Sequence, residues 1–280
     1  MLACLVVLMA SRITGCAEAS GHGVVPLGFA PADVLASDVG YYVSDPIRGA
    51  VHHVGPAGLE TVASDLPRAY GLTYDATGAL CVSHFTSDDV MTRRSAVSCF
   101  EDGTPTELIA GVGQGINGIA ATDGGLWLAA WIDTVSASRD GVLAFVRDGT
   151  VVRRVEFDSA VPQFVVPLTD GSVWLSVWYE DADGPRNGRI LRVSPDGTVE
   201  PFGPDNARPA GLAIVGEELW FSDHRDGALV ALDREGREVA RLARLEEPLG
   251  IGITTNSTVC VAEARGHRVS CIRTGATPRR

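Results

Sequence analysis

A short apolar strand with a bulky residue at its centre occurs six times in this 280-residue chain, and that recurrence limits the fold more than any other feature. The copies read Tyr41-Tyr42-Val43-Ser44, Leu80-Cys81-Val82-Ser83, Leu126-Trp127-Leu128-Ala129, Val173-Trp174-Leu175-Ser176, Leu219-Trp220-Phe221-Ser222 and Val259-Cys260-Val261-Ala262. Their central residues stand 39, 46, 47, 46 and 40 apart, the ~40–50 residues that one four-stranded propeller blade requires. First strands begin at Gly71-Leu72-Thr73, Gly118-Ile119-Ala120, Phe164-Val165-Val166, Gly211-Leu212-Ala213 and Gly250-Ile251-Gly252. Turns into fourth strands carry Gly58, Gly103, Gly149, Gly197 and Gly236, all but the first preceded by Asp or Glu, which is the chemistry of a tight hairpin. The pattern predicts an all-β, six-bladed β-propeller of four-stranded antiparallel blades. The sixth copy lacks a fourth strand of its own. The segment from Val24 to Phe29 can supply it, closing the ring with an N-terminal strand and removing an exposed sheet edge.

The domain plan follows. Residues 1–16 read as a lipoprotein-type signal peptide with a lipobox, 17–23 as a short linker, 24–274 as the single propeller and 275–280 as a C-terminal tail. The signal is an apolar run from Leu2 to Ala10 followed by Ile13-Thr14-Gly15-Cys16, which resembles the bacterial lipobox and makes Cys16 the lipidated residue. No basic residue precedes the run, and Arg12 separates it from the lipobox, so an ordinary secretory signal stands as the alternative. The run is far short of the about 20 apolar residues that span a bilayer. The expected location is therefore export to the cell envelope, lipid-anchored, or else periplasmic or secreted and soluble.

A net charge of -12, with basic residues that are all arginine and scattered, excludes nucleic acid as a partner and leaves membrane contact to the lipid anchor alone. Cysteine positions test the register. A turn at Arg265-Gly266 that pairs Ala264 with His267 also sets Cys260 opposite Cys271 and Glu263 opposite Arg268. Cys81 and Cys99 are 18 apart, the separation of the matching landmarks Trp127 and Phe145 or Trp174 and Arg192. Two cross-strand disulfides are expected, with buried free thiols as the alternative.

The Gly-Ile/Leu openings, Leu219-Trp220-Phe221-Ser222-Asp223 and the stretch Val261 to Val269 resemble the NHL-repeat and gluconolactonase (senescence marker protein)-like group of six-bladed propellers over nearly all of residues 24–274. The group holds lactonases, lyases and plain binding modules on one scaffold. Resemblance to its lactonases implies one divalent cation, calcium or magnesium, held by Glu, Asn and Asp oxygens on the axis to polarise a lactone carbonyl. Asn117 in Ile116-Asn117-Gly118-Ile119 matches the family's Asn-Gly-Leu ligand motif, whereas the first-blade Glu falls near Ala30 and the next Asp ligand at Gln163. Leu219 to His224 also resembles strands of streptogramin lyases, a seven-bladed form.

Strand alternation brings second-strand ends and first-strand starts to one face near the axis. That face is expected to collect Asp45, His84, Trp131, Trp178, Asp223, His224 and Glu263 with Tyr70, Asn117, Gln163, Ala210 and Leu249. Asn117, Asp45, Asp223 and Glu263 are the candidate metal ligands and His84, with no evident strand partner, the candidate general base. Each has a structural alternative: an exposed ion pair with Arg268 for Glu263, turn capping for Asp45 and Asp223, a backbone hydrogen bond for Asn117. Copies two, three and four are seven residues longer between second and third strands, where Phe85, Asp88 and Arg93, then Trp131 and Asp133, then Trp178, Tyr179, Glu180, Asp181, Asp183 and Arg186 lie. Binding residues are therefore expected at Phe85, Trp131, Asp133, Trp178, Tyr179, Tyr70, Gln163 and His224. No nucleophile elbow, zinc-binding His-Glu-x-x-His, phosphate loop or dinucleotide fingerprint occurs. The expectation is an envelope-anchored, non-catalytic propeller that needs no cofactor and binds a small molecule, glycan, peptide or envelope protein. The alternatives are a divalent-metal-dependent lactone or ester hydrolase and a streptogramin-type lyase.

Overall fold

The computed structural model describes residues 22–87, 89, 94–101, 103–133, 139–179, 187–254 and 258–274. Its strands form six four-stranded antiparallel sheets, and no helix occurs among the described residues. Blade 1 is β2 (Val34–Ser37), β3 (Gly40–Asp45), β4 (Ala50–Gly55) and β5 (Gly58–Ala63). Blade 2 is β6 (Leu72–Tyr74), β7 (Leu80–Phe85), β8 (Ser95–Glu101) and β9 (Thr104–Ala110). Blade 3 is β10 (Gly115–Thr122), β11 (Gly125–Asp133), β12 (Arg139–Arg147) and β13 (Thr150–Phe157). Blade 4 is β14 (Ala160–Pro167), β15 (Val173–Tyr179), β16 (Gly188–Val193) and β17 (Val199–Phe202). Blade 5 is β18 (Pro209–Val215), β19 (Glu218–Asp223), β20 (Ala228–Leu232) and β21 (Glu238–Ala243). Blade 6 is β22 (Pro248–Thr254), β23 (Thr258–Glu263) and β24 (Arg268–Arg273), completed by β1 (His22–Pro26).

The ring thus closes by an N-terminal strand, but this strand lies slightly upstream of the expected Val24–Phe29. It runs from His22 opposite Ile272 to Pro26 opposite Arg268. Leu27 donates its N–H to His267 O, and Leu27 and Phe29 then turn into the apolar layer between blades 6 and 1. Apolar burial, not pairing, is what their side chains answer to.

Why the second strands are apolar at successive positions is plain from the packing. Alternate residues face opposite sides of a sheet, and here both sides are covered by neighbouring blades. Leu126 and Leu128 pack toward blade 2, whereas Trp127 and Ala129 pack toward blade 4. Six such layers exist, one in each junction. The central bulky residues face the next blade, beside the third-strand residue opposite. Tyr42 meets His53 at 5.0 Å and Trp127 meets Phe145 at 4.9 Å, while the Arg192 guanidinium lies 5.9 Å over Trp174. In blades 2 and 6 the same slot holds the disulfides Cys81–Cys99 and Cys260–Cys271. The turn after β23 is four residues, Ala264–His267, and not a two-residue turn; His267 has φ 49°, like Gly49 at 62° and Gly227 at 59° in the matching turns. Register is unaffected, since Glu263 still pairs with Arg268.

Each junction also carries a hydrogen bond. Leu72 N–H donates to Asp33 Oδ2 (2.9 Å) between blades 1 and 2, and Ala121 N–H to Thr73 Oγ1 (3.3 Å) between 2 and 3. Asn117 Nδ2 donates to Pro162 O (2.8 Å), Ser176 Oγ to Ala210 O (2.5 Å) and Ser222 Oγ to Leu249 O (2.5 Å) across the next three. Gly250 N–H to Ala32 O (2.9 Å) closes the circle. The approach is close enough that a Cβ on Gly118 or Gly211 would stand 2.5 Å from Gln163 O or Leu249 O, which is why glycine holds these positions within β10 and β18, a few residues inside the strand starts rather than at them.

Candidate functional site

First strands begin and second strands end on one face, and a cavity of about 560 Å³ opens there between blades 5 and 6. Arg208, His224, Arg225, Asp226, Gly227, Leu245, Glu246, Glu247 and Arg265 line it. Two of the lining residues, Arg208 and His224, belong to a stacked cluster built on Trp178, which itself does not line the cavity. The Arg208 guanidinium sits 4.0 Å over the Trp178 ring, His224 lies against the same indole at 5.1 Å, and Trp178 Nε1 donates to Pro209 O at 2.6 Å. The His224 imidazole, 3.3 Å from Pro248 O through Nδ1, is held below its usual range by burial and then by the Arg208 charge. Two residues on the rim, Arg244 (φ 82°) and Glu247 (φ 52°), adopt the left-handed backbone that non-glycine residues rarely take.

The other expected binding residues do not line this cavity. Tyr70 and Phe164 face each other at 6.2 Å, and Gln163, 3% exposed, donates from Nε2 to Val161 O at 3.0 Å. Trp131 carries the Arg139 guanidinium at 4.5 Å, and Arg139 Nε also reaches Asp133 Oδ1 at 3.2 Å. Phe85 donates its N–H to Pro67 O at 2.7 Å, and Tyr179 donates its own to Asn187 O. Asp88, Arg93, Glu180, Asp181, Asp183 and Arg186 lie outside the described residues, as does Cys16.

The sequence left His84 without a partner; the structure gives it two. Nε2 bonds Ser98 Oγ at 2.9 Å, Nδ1 bonds Phe85 O at 2.8 Å, and burial lowers the imidazole pKa. Glu263 differs from expectation as well. Its pairing with Arg268 is present at 2.8 Å, yet the carboxylate is fully buried instead of exposed. Burial alone would raise its pKa, but Arg268, the Ser270 hydroxyl and Glu246 N–H together hold it below the usual range. The reason is position: Glu263 stands where blades 1 and 5 place Asp45 and Asp223, at the end of the second strand. Asp45 Oδ1 accepts the N–H groups of Ile47 and Arg48, each at 3.0 Å. Asp223 Oδ1 accepts from Arg208 and Arg225, each at 3.2 Å. Asp45 and Asp223 thus cap turns in blades 1 and 5, Glu263 is held in an ion pair in blade 6, and Asn117 ties blade 3 to blade 4.

A divalent cation needs several converging anionic oxygens. Among the described residues no three of Asp45, Asp223, Glu263 or any other carboxylate or histidine gather their ligand atoms within 4.8 Å; the one such group, Asp75 with Cys81 and Cys99, has both sulfurs in a disulfide. Asp45, Asp223 and Glu263 therefore do not converge on one calcium or magnesium ion.

Two residues of this face were missed by sequence reasoning. Asp33 stands immediately before β2, at the position that Gly71, Gly118, Gly211 and Gly250 hold in blades 2, 3, 5 and 6, and that break in the repeat was the available signal. Burial pushes its carboxyl up to about 8, against the backbone bonds from Leu72 and Val34. The Tyr70 phenol is in turn pushed up to about 12, by burial first and then by Asp33. Arg208 sits in a connector outside the repeat, so nothing in the pattern marked it.

The fold and face define a six-bladed β-propeller with a polar cavity between blades 5 and 6. No family model matches the chain, and no curated protein matches it. Solved structures do. A calcium-binding protein, regucalcin, from Agrobacterium tumefaciens is 15% identical with a TM-score of 0.65, over 89% of this chain and 90% of that one. An auxiliary nutrient binding protein from Bacteroides thetaiotaomicron is 12% identical with a TM-score of 0.66, over 88% and 69%. A streptogramin B lyase is 14% identical with a TM-score of 0.59, over 89% and 97%. At such identities the likeness is one of fold.

Proposed function

We propose that this protein is a ligand-binding propeller of the cell envelope, tethered by lipid at Cys16, that takes a small ligand into the cavity between blades 5 and 6. The observation that carries the reading is the Arg208–Trp178–His224 stack. Trp178 braces the Arg208 guanidinium and the His224 imidazole at the wall of a cavity whose volume falls within the roughly 300–1,000 Å³ of small-molecule sites. Non-catalytic binding is favoured because His84 has both ring nitrogens engaged and the carboxylates at Asp45, Asp223 and Glu263 are fixed in turns and an ion pair. One structural neighbour, an auxiliary nutrient binding protein, agrees with that choice.

A thermal-unfolding screen against sugars, amino acids, short peptides, nucleosides and organic acids tests it. At least one compound should raise the midpoint saturably, because it binds the folded state alone. Trp178→Ala, whose own midpoint is measured first, should abolish that shift. A screen in which no compound moves the wild-type midpoint would discard the proposal.

A further inference from the structure

Resting on that reading of the cavity, the chemistry of its walls specifies the ligand. Three guanidiniums (Arg208, Arg225, Arg265) and three carboxylates (Asp226, Glu246, Glu247) face the same space, and Leu245 is the sole apolar side chain among them. Two of the acids already have partners. Asp226 lies 3.2 Å from Arg225 Nε and 3.6 Å from an Arg241 nitrogen, and Glu246 lies 3.5 Å from Arg268. Among the described residues Arg265 and Glu247 form no ion pair, so the cavity offers an open charge of each sign beside the stacked Arg208.

A ligand that fills this space must strip water from groups of both signs, and a desolvated charge is compensated well only by its opposite. A neutral glycan compensates neither sign. A dianion meets Glu246 and Glu247, and a dication meets the arginines. We infer that the cavity binds a small zwitterion, a free α-amino acid or short peptide, with its carboxylate toward Arg208 and Arg265 and its ammonium toward Glu247.

Calorimetric titration of the purified protein with alanine, trialanine, N-acetyl-trialanine and trialanine amide reads each charge separately, with maltose and succinate for comparison. Free trialanine should bind saturably, and each blocked form about tenfold more weakly or worse, the loss of one charge-assisted hydrogen bond. Glu247→Gln should weaken trialanine by a similar factor while leaving the N-acetyl form unchanged. Arg265→Ala should do the same with respect to the amide. Both residues are exposed, so a misfolded variant is not the expected outcome. Blocked forms that bind as tightly as free trialanine would overturn the inference. Binding of maltose or succinate alone, lost on Trp178→Ala, would overturn it too while leaving the cavity as the ligand site. Failure of every compound here and in the wider screen would remove both.

Discussion

At the scale of single residues, Asp33 has the most to say about how this ring behaves with pH. Its carboxyl accepts N–H bonds from Val34 and Leu72 and is pushed up to about 8 from 3.8. A carboxyl whose folded pKa exceeds its unfolded one keeps its proton in the folded state where the unfolded chain has lost it. Its contribution is full below about pH 4 and is lost as pH rises toward 8. Urea unfolding of the wild type against Asp33→Asn at several pH values isolates the effect. The stability gap should move against the wild type between pH 5 and 7, by at most about 1.4 kcal/mol per pH unit. A gap that stays level would show that Asp33 is ionised at neutral pH. His84 teaches the complementary lesson. Its sequence neighbours name no partner, because Ser98 comes from the adjoining strand, fourteen residues on, and register alone does not say which way an imidazole turns.

Among the elements, β1 is the one on which closure depends. It gives blade 6 its fourth strand through five residue pairs with β24 and delivers Leu27 and Phe29 to the layer between blades 6 and 1. Deleting residues up to Pro26 would leave an unpaired edge strand, a known template for association. The truncated protein should unfold at least about 5 °C lower by calorimetry, since about 1–2 kcal/mol shifts a domain of this size by that much. It should also elute as larger species in size-exclusion chromatography. An unchanged midpoint would mean the ring does not need its latch. The elements were largely legible beforehand because each copy repeats one strand, one glycine and one turn, and six copies cannot all mislead in the same direction. The disulfides were legible for the same reason, cross-strand register being set by the hairpins. The acids at the second-strand ends were legible only as a choice between ligand and turn cap or ion pair, and the burial of Glu263 was not legible at all. A carboxylate there serves equally as ligand or cap, and only the positions of Ile47 N, Arg225 N and Arg268 decide.

For the molecule as a whole, the repeated clasp between blades gives a ring in which every junction has its own apolar layer and its own hydrogen bond, so damage at one junction opens the whole circle. The proposed tether belongs to this scale. If Cys16 carries the lipid, Cys16→Ser should move the protein from the membrane to the soluble fraction of fractionated cells, detected by immunoblot; a variant that still sediments with membranes would rule the anchor out. The direction of β1 has a consequence for how such a protein would stand. Pro26 ends beside the β23–β24 turn, on the cavity's own face, so His22 enters the ring on the opposite one. A lipid at the proposed Cys16 anchor would thus join the chain on the ring's back, and the cavity between blades 5 and 6 would look outward, like a dish mounted on its underside.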